Sequence, residues 1–237
     1  MRDEIKKRIL SSIFLLPLTF FCIIKGSYFF YSLLGLIYLI ALFEWHSLSK
    51  NKSYHYFGFF FLTVSIFTVY KLRVDTENEF WIFLIITTIC ILTDIGGFIF
   101  GKVFKGPKLT KYSPNKTFSG LIGGFLLPLI LIPFVVIFFL INDFKIYDLI
   151  IFIFIVSSAS QFGDIVVSYF KRLSKIKDTG KLIPGHGGLL DRIDGMLFAF
   201  PLSYLLILEN NIRLLHSQYH LYYYLYQYYM VIRIVPT

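Results

Sequence analysis

Cysteine is nearly absent. The 237 residues hold two, Cys22 and Cys90, each inside an apolar run, so neither a disulfide framework nor a zinc site has the residues it needs. They read as buried free thiols. Charge is scarce as well: Asp, Glu, Lys and Arg make up 16% of the chain and hydrophobic residues 57%, at a mean hydropathy of +0.71. That balance excludes a soluble globular domain of this size and places the chain in a bilayer. Acid is scarcer than base, 14 residues against 23, for a net charge of +9. Such a surplus can mark a nucleic-acid binder, but here Lys and Arg fall in short loops between apolar runs. They are assigned to topology and phosphate contact, and no nucleic-acid partner is expected. The abundance of Phe, Ile, Lys, Tyr and Asn fits the codon bias of an AT-rich genome and carries no mechanism.

A small-x-small cleavage site is also missing after the first apolar run, Ile9–Ile24, although the basic head MRDEIKKR before it has the build of a signal peptide. A retained span is the better reading, forming a tight helical hairpin with Ser27–Phe43. Further runs at Tyr54–Tyr70, Phe80–Gly101, Gly120–Ile141, Tyr147–Val167 and Leu189–Leu208 each approach the ~20 residues that cross a bilayer as helix. The expectation is an all-α, polytopic membrane protein of about seven transmembrane helices, range six to eight. With the N-terminus inside, 17 of the 23 basic residues fall in inner segments, which fixes that orientation. Three regions follow: membrane helices over 1–79, a catalytic membrane domain over 80–208 with two cytoplasmic motif loops, and a Tyr-rich tail over 209–237.

What charge there is gathers in SYFKRLSKIKDTGKLIPGHGGLLDRID, residues 168–194. Lys171, Arg172, Lys175, Lys177 and Lys181 stand against Asp178, Asp191 and Asp194, with PGHGG between them. A basic loop can be only a topology signal. This density suits a polyphosphate instead: lysine supplies point charge, arginine a bidentate fork, and glycines let backbone N–H groups approach anionic oxygens. The carboxylates could hold a divalent metal on the same phosphates. On a helix Asp164, Ser168 and Lys171 or Arg172 share one face, and Asp191 and Asp194 lie one turn apart. Antiparallel spans would bring Asp164 and Asp191 to one depth at the membrane mouth. Helix capping by Asp191 and an ion pair of Asp164 with Arg172 are the plainer alternatives.

Upstream, Asp94 lies inside a span, where a carboxylate needs a polar cavity or a partner. Gly96, Gly97 and Gly101 beside it permit close helix packing or close approach of a ligand. The loop that follows contains SPNKTFSG, a turn rich in donors with Lys116 beside them. It suits a phosphate contact, or a helix cap at Ser113 or Thr117.

The pattern Ser168-x-x-Lys171-Arg172, then Lys177-Asp178, then PGHGG-x-x-Asp191-Arg192-x-Asp194 closely resembles the signature of the phosphatidate cytidylyltransferase family, the membrane enzymes that make CDP-diacylglycerol. The family's upstream motif is matched at Asp94 and at Ser113, Pro114, Lys116, Thr117 and Gly120. Asn115, Phe118, Ser119 and the Gly97-Phe98 pair depart from it. The resemblance covers roughly residues 90–200. It implies an active site at the cytoplasmic membrane mouth with Asp191, Lys171 and Arg172 in the catalytic group; the helical spacing adds Asp164, and Mg²⁺ is expected on Asp164 and Asp191. Substrate contacts are implied at Asp94, Ser113, Lys116, Thr117, Ser168, Lys177, Asp178, His186, Gly187, Gly188, Arg192 and Asp194. The partners implied are CTP, a phosphatidate lipid and the bilayer, in a bacterial inner membrane; a homodimer is left open.

An ion-coupled transporter is the rival from another class, using Asp94 and Asp164 as a relay. It needs acids spread along a transmembrane path, whereas Asp164, Asp178, Asp191 and Asp194 gather at one end with the cations. The same chemistry on another lipid phosphate is the nearer alternative. In the tail, His216 and His220 have helical metal-binding spacing but no third ligand nearby. The orientation is checked by cysteine labelling at positions 108 and 175, which should need a membrane-permeant reagent. Ready labelling from outside would overturn it.

Overall fold

The computed structural model describes residues 13, 15, 17–74, 79–139, 146–180, 182 and 187–208. Among them every regular element is helical, apart from isolated bridge residues such as the pair Lys108 and Thr117. Residues 17–25 are helical. The full helices are α1 (Ser27–Ser49), α2 (His55–Val74), α3 (Glu79–Phe104), α4 (Phe118–Leu126), a 3₁₀ turn (Leu127–Ile130), α5 (Leu131–Phe139), α6 (Ile146–Leu173) and α7 (Leu190–Leu208).

Five stretches among the described residues are long and apolar enough to cross a membrane: Ser27–Ser49, His55–Arg73, Phe80–Phe104, Phe118–Val136 and Ile146–Leu173. Of the other two expected spans, Ile9–Ile24 lies partly outside the described residues. The last is present as α7, but Asp191, Arg192 and Asp194 crowd its first turns and shorten its apolar length. The expected span Gly120–Ile141 is not one α-helix. Pro128 sits at the start of the 3₁₀ turn between α4 and α5, where a proline cannot supply the N–H that a continuous ladder needs. The tail, with His216 and His220, lies outside the described residues.

The largest buried cluster joins α1, α2, α3, α6 and α7 through side chains such as Phe30, Leu72, Phe83, Ile86, Phe152 and Phe200. A second, smaller cluster of Ala41, Trp45, Leu48, Leu62, Leu190 and Leu197 lies under the signature loop. Phe43, Phe60 and Phe98 are exposed by about two-thirds, as suits a lipid-facing surface.

Among the described residues, neighbouring helices approach so closely in places that only glycine fits between them. A Cβ on Gly96 would lie 2.3 Å from the Gly123 carbonyl oxygen, and one on Gly123 would lie 2.3 Å from Phe100 Cβ, so α3 and α4 pack backbone to backbone. Gly97 has more room, its Cβ meeting the Gly120 oxygen at 3.6 Å. A Cβ on Gly163 would come within 2.7 Å of the Asp194 carbonyl, which draws α6 and α7 together at the level of the acidic residues. Helix packing therefore accounts for Gly96, which faces backbone that cannot yield. Gly96→Ala should lower stability in detergent by about 1–3 kcal/mol. Gly35→Ala, where nothing lies within 4 Å, should leave the thermal midpoint unchanged or slightly raised. Equal midpoints for Gly96→Ala and the parent would refute the contact.

Candidate active site

The end of α6, the start of α7 and the loops between α3 and α4 and between α6 and α7 form one charged assembly. On α6, Asp164, Ser168 and Lys171 follow at helical steps along one face; Ser168 is 7% exposed and Lys171 9%. The Ser168 hydroxyl donates to Asp164 Oδ1 at 3.4 Å. The ammonium of Lys116, from the loop between α3 and α4, pairs with Asp164 Oδ2. Asp164 therefore takes its cation from that loop and not from Arg172, whose guanidinium donates to the carbonyls of Tyr112, at 3.2 Å, and Ile176, at 3.3 Å. Arg172 stitches the loop to the end of α6.

That loop is a folded turn. Leu109 N–H donates to Lys116 O at 2.8 Å, Lys116 N–H to Ser113 O, and Phe118 N–H to Pro107 O. Thr117 is the N-cap of α4, its hydroxyl accepting from Gly120 N–H at 3.1 Å. The capping alternative thus describes Thr117, while Ser113 N–H donates to Thr110 Oγ1. Capping and turn hydrogen bonds hold the segment so that Lys116 is delivered to α6.

Asp191 is the most heavily engaged acid. Lys171 Nζ donates to its Oδ1 at 2.8 Å, and its Oδ2 accepts from the N–H groups of Thr179, at 2.8 Å, and Gly188, at 3.1 Å. Three donors from α6 and the loop thus meet the two oxygens of this carboxylate at the loop end of α7. Asp194, one turn on, is buried and accepts from Gly195 N–H at 2.9 Å. It lies within electrostatic reach of Asp164, Lys171 and Asp94. Asp94 is within similar reach of Asp164, Lys116 and Arg192, so this carboxylate in α3 has the charged neighbours that its depth demands. Lys177, Asp178 and Arg192 are exposed around the assembly. His186 lies outside the described residues. Gly187 has φ +85°, a left-handed conformation that favours glycine, and a Cβ there would sit 3.1 Å from Asp191 Oδ2.

One participant gave no signal in the sequence. Glu44, near the end of α1, is 2% exposed and accepts from Thr179 Oγ1 at 2.7 Å, Leu189 N–H at 2.8 Å and Leu190 N–H at 2.9 Å. Its partners are 135 to 146 residues away in the chain. The buried Trp45 beside it meets Phe170 of α6 at 5.4 Å between centroids and donates to His55 O.

Among the described residues no group of three or more His, Cys, Asp or Glu stands close enough to hold a metal by itself. Asp164 and Asp191 are each matched with an ammonium, which marks both as places where a cation is favoured. A hard divalent ion held by one or two carboxylates and completed by phosphate oxygens fits this donor set.

Helices that cross a bilayer, with lysine–aspartate pairs collected at one end, define an integral membrane protein equipped to handle a multiply charged anion. Residues 6–76 and 55–208 match the cytidylyltransferase family model. Similar proteins include the phosphatidate cytidylyltransferases of Rickettsia felis, 36% identical over 212 residues, and of Rickettsia typhi, 36% over 213, each match covering 86% of this chain and 92% of the relative. The protein of the same description from Staphylococcus saprophyticus is 40% identical over 119 residues, half of this chain and 45% of that one. The chain belongs to the cytidylyltransferase family and is a nucleotidyltransferase.

The two lysine–aspartate pairs should differ in energetic weight. Lys171 and Asp191 side chains are 11% and 7% exposed, so Lys171→Met strands a buried carboxylate and should cost about 3–5 kcal/mol. Lys116 and Asp164 are each 26% exposed, and Lys116→Met should cost about 0–1 kcal/mol. Thermal unfolding of both variants in one detergent checks the order, and a reversed order would contradict the burial argument.

Proposed function

We propose that this chain is a CTP:phosphatidate cytidylyltransferase that makes CDP-diacylglycerol and pyrophosphate for phospholipid synthesis. A phosphate oxygen of phosphatidate forms a bond to the α-phosphorus of CTP. The bond from that phosphorus to the pyrophosphate bridging oxygen breaks, and its electron pair leaves with pyrophosphate. Such a transfer needs positioning and charge neutralisation more than covalent chemistry. The observation that carries the reading is the pairing of Lys116, from the loop before α4, with Asp164 and of Lys171 with Asp191, in a chain similar to relatives named for this reaction. When CTP arrives, the two ammonium groups can turn from carboxylate to phosphate, so that anion exchanges for anion with little reorganisation.

Mg²⁺ held by Asp164 and Asp191 with the CTP phosphates is part of the proposal; it would neutralise the charge that develops on departing pyrophosphate. Asp94 and Asp194 complete the acidic lining. Lys177, Asp178, His186 and Arg192 are proposed to contact CTP. Seven spans with the N-terminus inside, as the loop charge favours, would put both motif loops on the cytoplasmic face of a bacterial inner membrane, where CTP comes from water and the lipid phosphate from the bilayer.

Purified protein with labelled CTP should form labelled lipid only when phosphatidate is added. EDTA should abolish turnover and added Mg²⁺ restore it. Asp164→Asn should keep the protein folded while activity falls by orders of magnitude. Label transferred to a different lipid phosphate but not to phosphatidate would redirect the substrate, and no lipid product at all would end the reading.

A further inference from the structure

We propose that Glu44 is a positioning residue for the nucleotidyl transfer, a carboxylate supplied by α1 that staples the two flanks of the signature loop; the inference rests on the function just proposed. The hydrogen bonds of Glu44 go to Thr179, Leu189 and Leu190, and it acts on the Lys171–Asp191 pair through Thr179. Thr179, 6% exposed, lies before the PGHGG segment, and Leu189 and Leu190 lie after it. One carboxylate thus grips both ends of the loop, accepting from a hydroxyl on the near side and from two N–H groups at the start of α7 on the far side. Those N–H groups belong to the helix terminus that has no partners of its own, where a negative charge is favoured.

Thr179 is the pivot. Its hydroxyl goes to Glu44 and its N–H to Asp191 Oδ2, so the carboxylate that holds Lys171 is aligned by the residue that Glu44 fixes. The loop glycines are shaped by the same contact. A Cβ on Gly188 would lie 2.0 Å from Thr179 Oγ1 and 2.5 Å from Glu44 Oε2, and one on Gly180 would lie 2.7 Å from Glu44 Oε1. These glycines admit the staple; room for a phosphate is not needed to explain them. Around the staple, Ser174 Oγ donates to Leu48 O at 2.7 Å and Trp45 packs on Phe170, which ties the end of α1 to the end of α6. The helical hairpin of α1 and α2 is thereby part of the apparatus that orders the loop.

A glutamine cannot replace this group, because its NH₂ would face donors where the second oxygen accepts. Glu44→Gln is therefore expected to raise KM for CTP about 10- to 100-fold, with a smaller effect on kcat at saturating CTP, since bound nucleotide can restore the loop. Thr179→Val, which keeps shape and loses the hydroxyl, should shift KM in the same direction by less. Thr179→Ser should restore the parent value, and Glu44→Gln with Thr179→Val should be less than additive. Assays run well below each variant's thermal midpoint separate this from loss of fold, which would lower the midpoint and leave KM alone. Hydrogen exchange supplies the second arm: protection at Thr179, Leu189 and Leu190 should fall in Glu44→Gln and Thr179→Val. If the parent protein forms no lipid product but protection still depends on Glu44, the reaction fails and the staple stands. Unchanged KM in both Glu44→Gln and Thr179→Val, or unchanged protection in both, would overturn the proposal; if Glu44→Gln does not fold, Thr179→Val against Thr179→Ser decides alone.

Discussion

A charge carried to the edge of a bilayer must find a partner there, and the charged end of this molecule is organised by that demand. The ammonium of Lys171 on Asp191 is the contact from which the rest follows, because both side chains are almost wholly withdrawn from solvent. Its geometry is over-determined: Asp191 is also gripped by two loop amides, and Thr179, which gives one of them, is held in turn by Glu44. Each carboxylate oxygen of Asp191 and Glu44 is met by a donor from another element.

That network can exist only where helices come unusually close. Gly163 and Gly195 let α6 and α7 meet at the level of Asp194, and Gly96, Gly120 and Gly123 do the same for α3 and α4. The second contact sets where the loop before α4 begins, and hence where Lys116 reaches α6. Small residues in the apolar layer and charge pairing above it are two parts of one arrangement: the first sets separations, the second exploits them.

Much of this was legible in the sequence, and the reasons are local ones. Apolar runs near bilayer length announce helices, and α1, α2, α3 and α6 lie within a few residues of expectation, apart from the six by which α1 continues beyond Phe43 and α6 beyond Val167. Helical spacing placed Asp164, Ser168 and Lys171 on one face because that depends only on residue numbers. The break between α4 and α5 was missed, although Pro128 marks it, since hydropathy is blind to hydrogen bonding. Lys116 was assigned to phosphate and Arg172 was the plainer partner for Asp164, yet the loop geometry gives Asp164 to Lys116. Glu44 could not be found by any local rule. Nothing within a turn of it in sequence hints at donors on Thr179, Leu189 and Leu190.

The order of synthesis gives that last contact a particular history. Glu44 leaves the ribosome 146 residues before Leu190, an interval of roughly 7–30 s at ordinary elongation rates. Throughout that interval its carboxylate has none of its final partners, so α1 must wait at the membrane surface with a charged end still hydrated. Burial of Glu44 is then among the last events of assembly, closing when α7 docks, and the nascent chain's early helical hairpin acts as a template on which the much later loop is set.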